Sequence, residues 1–250
     1  MKHLWNSCCV VAVLMTQPAT NFVSFMTLTT ALRNANFSAL IALAFFPSYC
    51  SVAQTDSAAD QLLTRVSETM QGYETVHAVY VSKMIDRQSD FEMDQSGEIW
   101  VEGSQYHLVL GEYTIICDGQ TVWTYEPEMG ECYVDDAETI AEDGIDPARM
   151  FTIWESGFTK VMKGAVQIDN REVQRVDLHP ESAENRGYHT IQCYVDSKSL
   201  ELVKLIMKGR EGTDVEYRIE EFEGNGSVPE GAFSFDKAKY PGTTIIDNRL

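Results

Sequence analysis

Residues 115–125 read IICDGQTVWTY, two strand-like runs meeting at Asp118-Gly119, and this segment constrains the fold more than any other. Asp-Gly between alternating apolar residues is the strongest short-range hairpin signal available. Runs of the same kind lie on either side, at 75–84, 92–102, 105–110, 113–118, 121–126 and 131–135, and again at 166–169, 172–179, 187–196, 200–208 and 213–223. Breaks containing Gly or Asp separate them, with hairpin loops at 196–199 and 210–212. So many strands joined by short turns predict one large antiparallel sheet, and a mainly β, α+β fold class.

Only two helical segments accompany these strands. Ser57 followed by Asp60 resembles a capping box, after which Leu62, Leu63, Val66 and Met70 share one helical face and Gly72 ends the helix. Asp146-Pro147 is a helix start with Asp as N-cap and Pro at the first helical position, and Met150, Phe151, Ile153, Trp154 and Phe158 follow. So apolar an insertion between two strand groups is expected to lie on the face of the sheet. A last apolar run occupies 243–246, after Tyr240-Pro-Gly242.

The N-terminal part reads as export apparatus. Residues 37–53, FSALIALAFFPSYCSVA, follow Arg33, carry no charge and end in Ser51-Val-Ala53, the small-x-small pattern of signal-peptide cleavage. The apolar core at 37–46 is shorter than the roughly 20 residues a membrane span needs. We therefore expect 1–53 to be a targeting segment cleaved near Ala53, with Met26 as an alternative start, and 54–250 to be a single domain in the periplasm. The apolar patch at 8–15 has no evident purpose, and Tyr49 before Cys50 makes a poor lipobox.

The sequence holds 38 Asp and Glu against 19 Lys and Arg. Loss of Lys2 and Arg33 with the leader leaves 17 basic residues and a balance of −21, which opposes nucleic acid and anionic membrane surfaces. Three cysteines, Cys117, Cys132 and Cys193, remain in the mature chain; an odd number leaves at least one thiol free in an oxidising compartment, and strand patterns around Cys117 and Cys193 suit small buried hydrophobes. His77, His107, His179 and His189 stand apart, with no metal-ligand spacing, and no nucleophile elbow, phosphate loop or dinucleotide fingerprint occurs. No catalytic residue, metal or cofactor is expected.

An extensive sheet with two short helical segments to cover it suits a container. The period of two places Val76, Ala78 and Tyr80 on one face, with Ile99 and Val101, Tyr106, Leu108 and Leu110, and Ile115 and Cys117. These residues form either an ordinary core under the helices or a cavity able to take a hydrocarbon chain when the helices move aside.

From about Ala58 to Arg249 the chain resembles the periplasmic outer-membrane lipoprotein carriers of the LolA family. The resemblance lies in the helix with Leu62, Leu63 and Val66, in VHAVY at 76–80, GEIWV at 97–101, CDGQTVWTYEP at 117–127, the segment 188–195, and YPGTTIIDNR at 240–249. It implies an unclosed antiparallel β-barrel with a helical lid, whose cavity shields lipoprotein acyl chains. Cavity-lining positions would be Val76, Ala78, Tyr80, Ile99, Val101, Tyr106, Leu108, Leu110 and Ile115; the lid would hold Met150, Phe151, Ile153 and Trp154. Implied partners are acylated lipoproteins, an inner-membrane lipoprotein-releasing complex as donor and an outer-membrane acceptor, with the carrier a monomer. Many carriers have an Arg shortly after the Trp-Val of the second strand that bonds the closed lid; here Glu102 and Gly103 stand in that region. Either another residue, with Arg149 the candidate, replaces that latch or the lid closes by apolar contact alone. A lipid or lipoprotein sensor of the same fold is the chief alternative, and a lipid hydrolase the other.

Overall fold

The computed structural model describes residues 56–143, 146–182 and 186–249. The expected leader, with Cys8, Cys9 and Cys50, lies outside them. Helix α1 (Ser57–Gln71) precedes β1 (Thr75–Asp86), β2 (Phe91–Glu102), β3 (Gln105–Leu110), β4 (Tyr113–Cys117), β5 (Thr121–Glu126) and β6 (Glu131–Asp136). Helix α2 (Ala137–Asp143) and a 3₁₀ segment (Pro147–Glu155) interrupt the strands. Then come β7 (Phe158–Ile168), β8 (Arg171–Pro180), β9 (Tyr188–Asp196), β10 (Leu202–Gly209), β11 (Thr213–Gly224) and β12 (Thr244–Asp247).

All twelve strands form one sheet in the order β12-β6-β5-β4-β3-β2-β1-β11-β10-β9-β8-β7. The sheet is open, with β12 and β7 at its edges, and matches the expected unclosed barrel. The Asp118 hairpin works through its side chain: Oδ1 accepts from the backbone N–H of Gln120 at 2.9 Å and of Thr121 at 2.8 Å, and Gly119 supplies φ of 96°.

Register carries the apolar alternation across the sheet as rows. Val101 faces Val76 and Tyr106, and Tyr106 faces Cys117; Ile99 faces Ala78 and Leu108, and Leu108 faces Ile115. The rows continue onto β11, where Phe222 faces Ala78, Ile219 faces Tyr80 and Tyr217 faces Ser82. Leu62, Leu63, Val66 and Met70 of α1 pack on this face in one cluster with Ile191, Cys193, Leu205 and Met207. Each fully buried aliphatic side chain there contributes about 1.5–3 kcal/mol.

Four details differ from the sequence expectation. Asp56, not Ser57, caps α1, its Oδ1 accepting from Ala58 N at 2.9 Å. Helix α2 was not anticipated. Strand β7 begins at Phe158 rather than 166, because a bulge between Met162 and Gly164 breaks its alternation. The final strand pairs with β6 in parallel, so the sheet is not wholly antiparallel. Between β11 and β12 the chain crosses the outer face as a strap: His107 Nδ1 lies 2.9 Å from the Ala232 carbonyl, and Tyr240 stacks on Phe235 at 4.9 Å and meets Tyr125 at 4.5 Å.

Candidate functional site

The inner face of β1–β4 and β11, under α1 and the 3₁₀ segment, gathers every residue that the sequence picks out for a cavity. Ala78, Tyr80, Ile99, Val101, Tyr106, Leu108, Leu110 and Ile115 are buried, and Val76 is partly buried against them. Phe151 and Trp154 are buried in the same cluster, with Met150 and Ile153 packed at its margin. Burial pushes the Tyr80 and Tyr106 hydroxyls well above the ordinary tyrosine range.

Asp146 starts the 3₁₀ segment, its Oδ1 accepting from Ala148 N at 3.0 Å, and Pro147 sets the first turn. Its chief tether is Trp154, whose Nε1–H donates to the Leu63 carbonyl at 3.1 Å and the Ser67 hydroxyl at 3.0 Å, both on α1. Arg149, the candidate latch, is exposed. Helix α1 is itself tied to β7: Asp56 N donates to the Lys160 carbonyl at 2.9 Å, and Lys160 Nζ lies 2.7 Å from Asp60. On the sheet side the segment makes an aromatic contact instead, Phe151 edge-on to Phe222 at 5.7 Å. Among the described residues it is thus hydrogen-bonded to the helix through Trp154 and meets the sheet through the aromatic contact of Phe151.

Sequence reasoning missed the β11 side of this face, Tyr217, Ile219 and Phe222. The register shift opposite Val79 and Tyr80 inserts one residue after Ile219, so a period of two predicts Glu221 where Phe222 stands. Burial pushes the Tyr217 hydroxyl up to about 12, yet its ring keeps partial exposure.

The face changes character at β5 and β6. Glu126 and Glu131 stand directly opposite each other, accepting from Tyr113 at 3.2 Å and Tyr133 at 2.5 Å. The bond to Glu131 pushes the Tyr133 hydroxyl up to about 12. The inner face thus turns acidic at the Glu126–Glu131 end of β5 and β6, while Val122 at the other end of β5 stays in the apolar cluster.

The model of the family described as outer membrane lipoprotein carrier protein LolA matches residues 111–236, which run from the β3–β4 turn through the 3₁₀ segment to the strap. The chain belongs to the LolA family. Among solved structures, an uncharacterized conserved protein from Thermus thermophilus shares the fold at a TM-score of 0.52 and 8% identity, covering 76% of this chain and 99% of its own. An outer membrane lipoprotein-sorting protein domain from Vibrio parahaemolyticus gives 0.42 at 9% identity (71% and 97% covered), and a LolA superfamily protein from Nitrosomonas europaea 0.41 at 9% (71% and 97%). No curated protein matches the chain in sequence. The LolA fold is a binding fold for lipid or lipoprotein. Among the described residues no group of three or more His, Cys, Asp or Glu could hold a metal, and no helix is long and apolar enough to cross a membrane.

Proposed function

We propose that the chain is a non-enzymatic periplasmic carrier that shields lipoprotein acyl chains on its inner face during transfer toward the outer membrane. The observation that supports this reading is the continuous buried apolar face of β1–β4 and β11, against which the 3₁₀ segment sets Phe151 while Trp154 bonds it to α1. Movement of that segment exposes Leu108, Leu110 and Ile115 to a chain without breaking the sheet. Each buried methylene contributes about 0.8 kcal/mol, so partial insertion already supplies several kcal/mol. Release then requires a receptor that binds the cargo more tightly.

Export fits the leader-like residues 1–53, with cleavage near Ala53. An inner-membrane releasing complex is the donor in this reading and an outer-membrane protein the acceptor, with the carrier acting as a monomer. The acidic balance disfavours nucleic acid.

The test is photo-crosslinking in living cells from position 108, with position 105, on the opposite face of β3, as control. Several different acylated lipoproteins captured from 108 alone are the expected result. A single non-acylated protein would refute the carrier role and point to a sensor of the same fold; free lipid alone would point to a lipid-binding protein.

A further inference from the structure

Arg186, in the connection between β8 and β9, is placed unlike any other lysine or arginine among the described residues. Each of the others is exposed or paired with a carboxylate, whereas Arg186 is half-buried and has no carboxylate partner among the described residues. The chain carries 38 acidic residues against 19 Lys and Arg, so counter-ions are not scarce. A guanidinium drawn partly out of water without one is costly to keep.

Two aromatic rings hold it there. Phe158 and Tyr188, at the starts of β7 and β9, stack with centroids 6.5 Å apart, and Arg186 Cζ lies 5.4 Å from the first ring and 5.7 Å from the second. Its Nη1–H donates to the Tyr188 hydroxyl. A guanidinium has five N–H donors, and no other acceptor among the described residues takes the remaining ones. Arg210, just past β10, braces the connection: its backbone N–H donates to the Gly187 carbonyl at 2.9 Å and its Nε–H to the Arg186 carbonyl at 3.2 Å.

The two rings join this cation to the inner face. Phe158 and Tyr188 are buried in the same apolar cluster as Leu108, Leu110, Phe151 and Trp154. Arg186 Nη2 also lies 3.7 Å from where a side chain on Gly157 would begin, at the exit of the 3₁₀ segment. The antiparallel order brings the start of β9 to the same end of the sheet as the end of β3 at Leu110. Glu126 and Glu131 stand at that end on the β5–β6 side, so this end of the half-barrel is acidic on one side and basic on the other.

We propose that Arg186 seats the negatively charged headgroup of an acyl ligand whose chain lies on the inner face. The fork of N–H donors suits a carboxylate or a phosphate, and Glu126 and Glu131 repel such a group from the opposite side, which orients the ligand. The preferred ligand is therefore an acyl compound with an oxyanion headgroup and not a neutral one. This inference rests on the carrier reading above.

The test uses the purified mature chain loaded with N-phenyl-1-naphthylamine, a neutral fluorophore for apolar sites. Laurate, dodecyl phosphate and dodecyl maltoside, which differ in headgroup and hardly in chain length, then displace it below their micellar concentrations. The expected result is displacement by the two anionic ligands at about tenfold lower concentration than by the maltoside, the scale of one charge-assisted contact. Arg186→Gln should remove that preference and leave the maltoside midpoint unchanged, while Arg186→Lys, which keeps the charge and loses the fork, should retain part of it. Equal midpoints for all three ligands, or a preference that survives Arg186→Gln, overturn the seat and leave the carrier reading standing. Weakening of all three alike in Arg186→Gln would reduce Arg186 to a packing role and overturn it too. Inorganic phosphate bound as tightly as dodecyl phosphate in calorimetry would make this a site for free anions and overturn the headgroup assignment. Displacement by none of the ligands overturns both readings.

Discussion

The ring of Tyr80 lies across Gly97, its partner in the β1–β2 ladder, so closely that a methyl group at residue 97 would fall within the ring. Tyr80 is 1% exposed and donates its hydroxyl to the Val109 carbonyl at 3.4 Å, so it has no free space to retreat into. The glycine is required by a neighbour's side chain and not by its own backbone. Gly97→Ala is expected to destabilise the fold by about 1–3 kcal/mol, the usual cost of overpacking. Urea unfolding measures it, and a double-mutant cycle assigns it: with Tyr80→Ala in the background most of the cost should disappear. An equal cost in both backgrounds would place the strain elsewhere.

Trp154 hydrogen-bonds α1 through Ser67 as well as Leu63. Ser67→Ala removes one acceptor and leaves the indole seated, so a loss of about 0.5–1.5 kcal/mol is expected. If that bond holds the lid, its loss should be local. Amide hydrogen exchange should accelerate in residues 148–155 and stay unchanged in β8 and β9. Uniform acceleration across the sheet would mean that Ser67 supports the whole fold and not the lid.

Most of this architecture was legible because the rows of the inner face preserve the period of two over β1–β4, and because Asp118-Gly119 and Asp146-Pro147 each carry local side-chain chemistry that fixes a turn or a helix start. What escaped did so for physical reasons. Bulges in β7 and β11 shift the alternation by one residue, which hid the start of one strand and the place of Phe222 on the inner face. Parallel pairing of β12 with β6 depends on the strap crossing the outer face, a long-range connection with no local signature. The tether of the 3₁₀ segment was invisible because the indole N–H of Trp154 is satisfied by a backbone carbonyl and a serine far away in sequence, so Trp154 read only as an apolar residue of an expected lid.

Cys117, Cys132 and Cys193 are free thiols and all buried. Burial pushes their thiols up, Cys132 to about 11, so thiolate is scarce at neutral pH. The native mature chain should therefore resist alkylation by iodoacetamide at pH 7.5, and all three should react once urea unfolds it. Rapid modification of one thiol in the native state would reveal an opening of the strand that carries it.

His107 links the sheet to the strap, its Nδ1 on the Ala232 carbonyl and its ring edge-on to Trp100 at 5.5 Å. Burial under the strap holds its pKa below the ordinary histidine value; Lys239 acts in the same direction, while the Ala232 bond and Glu98 oppose it. The folded state therefore binds this proton less readily than the unfolded chain, whose histidine titrates near 6.5. Above that pH both states are neutral and His107 adds no pH dependence. As pH falls through about 6.5 the unfolded chain takes up the proton first, so stability drops until the folded-state pKa is passed and then levels off. Gln at this position can still donate to Ala232 but cannot titrate. The difference between the urea midpoints of wild type and His107→Gln, measured from pH 7.5 to pH 5, should shift in favour of the variant as the pH is lowered. Parallel curves would show that His107 takes up its proton as readily in the folded as in the unfolded chain, the strap admitting water.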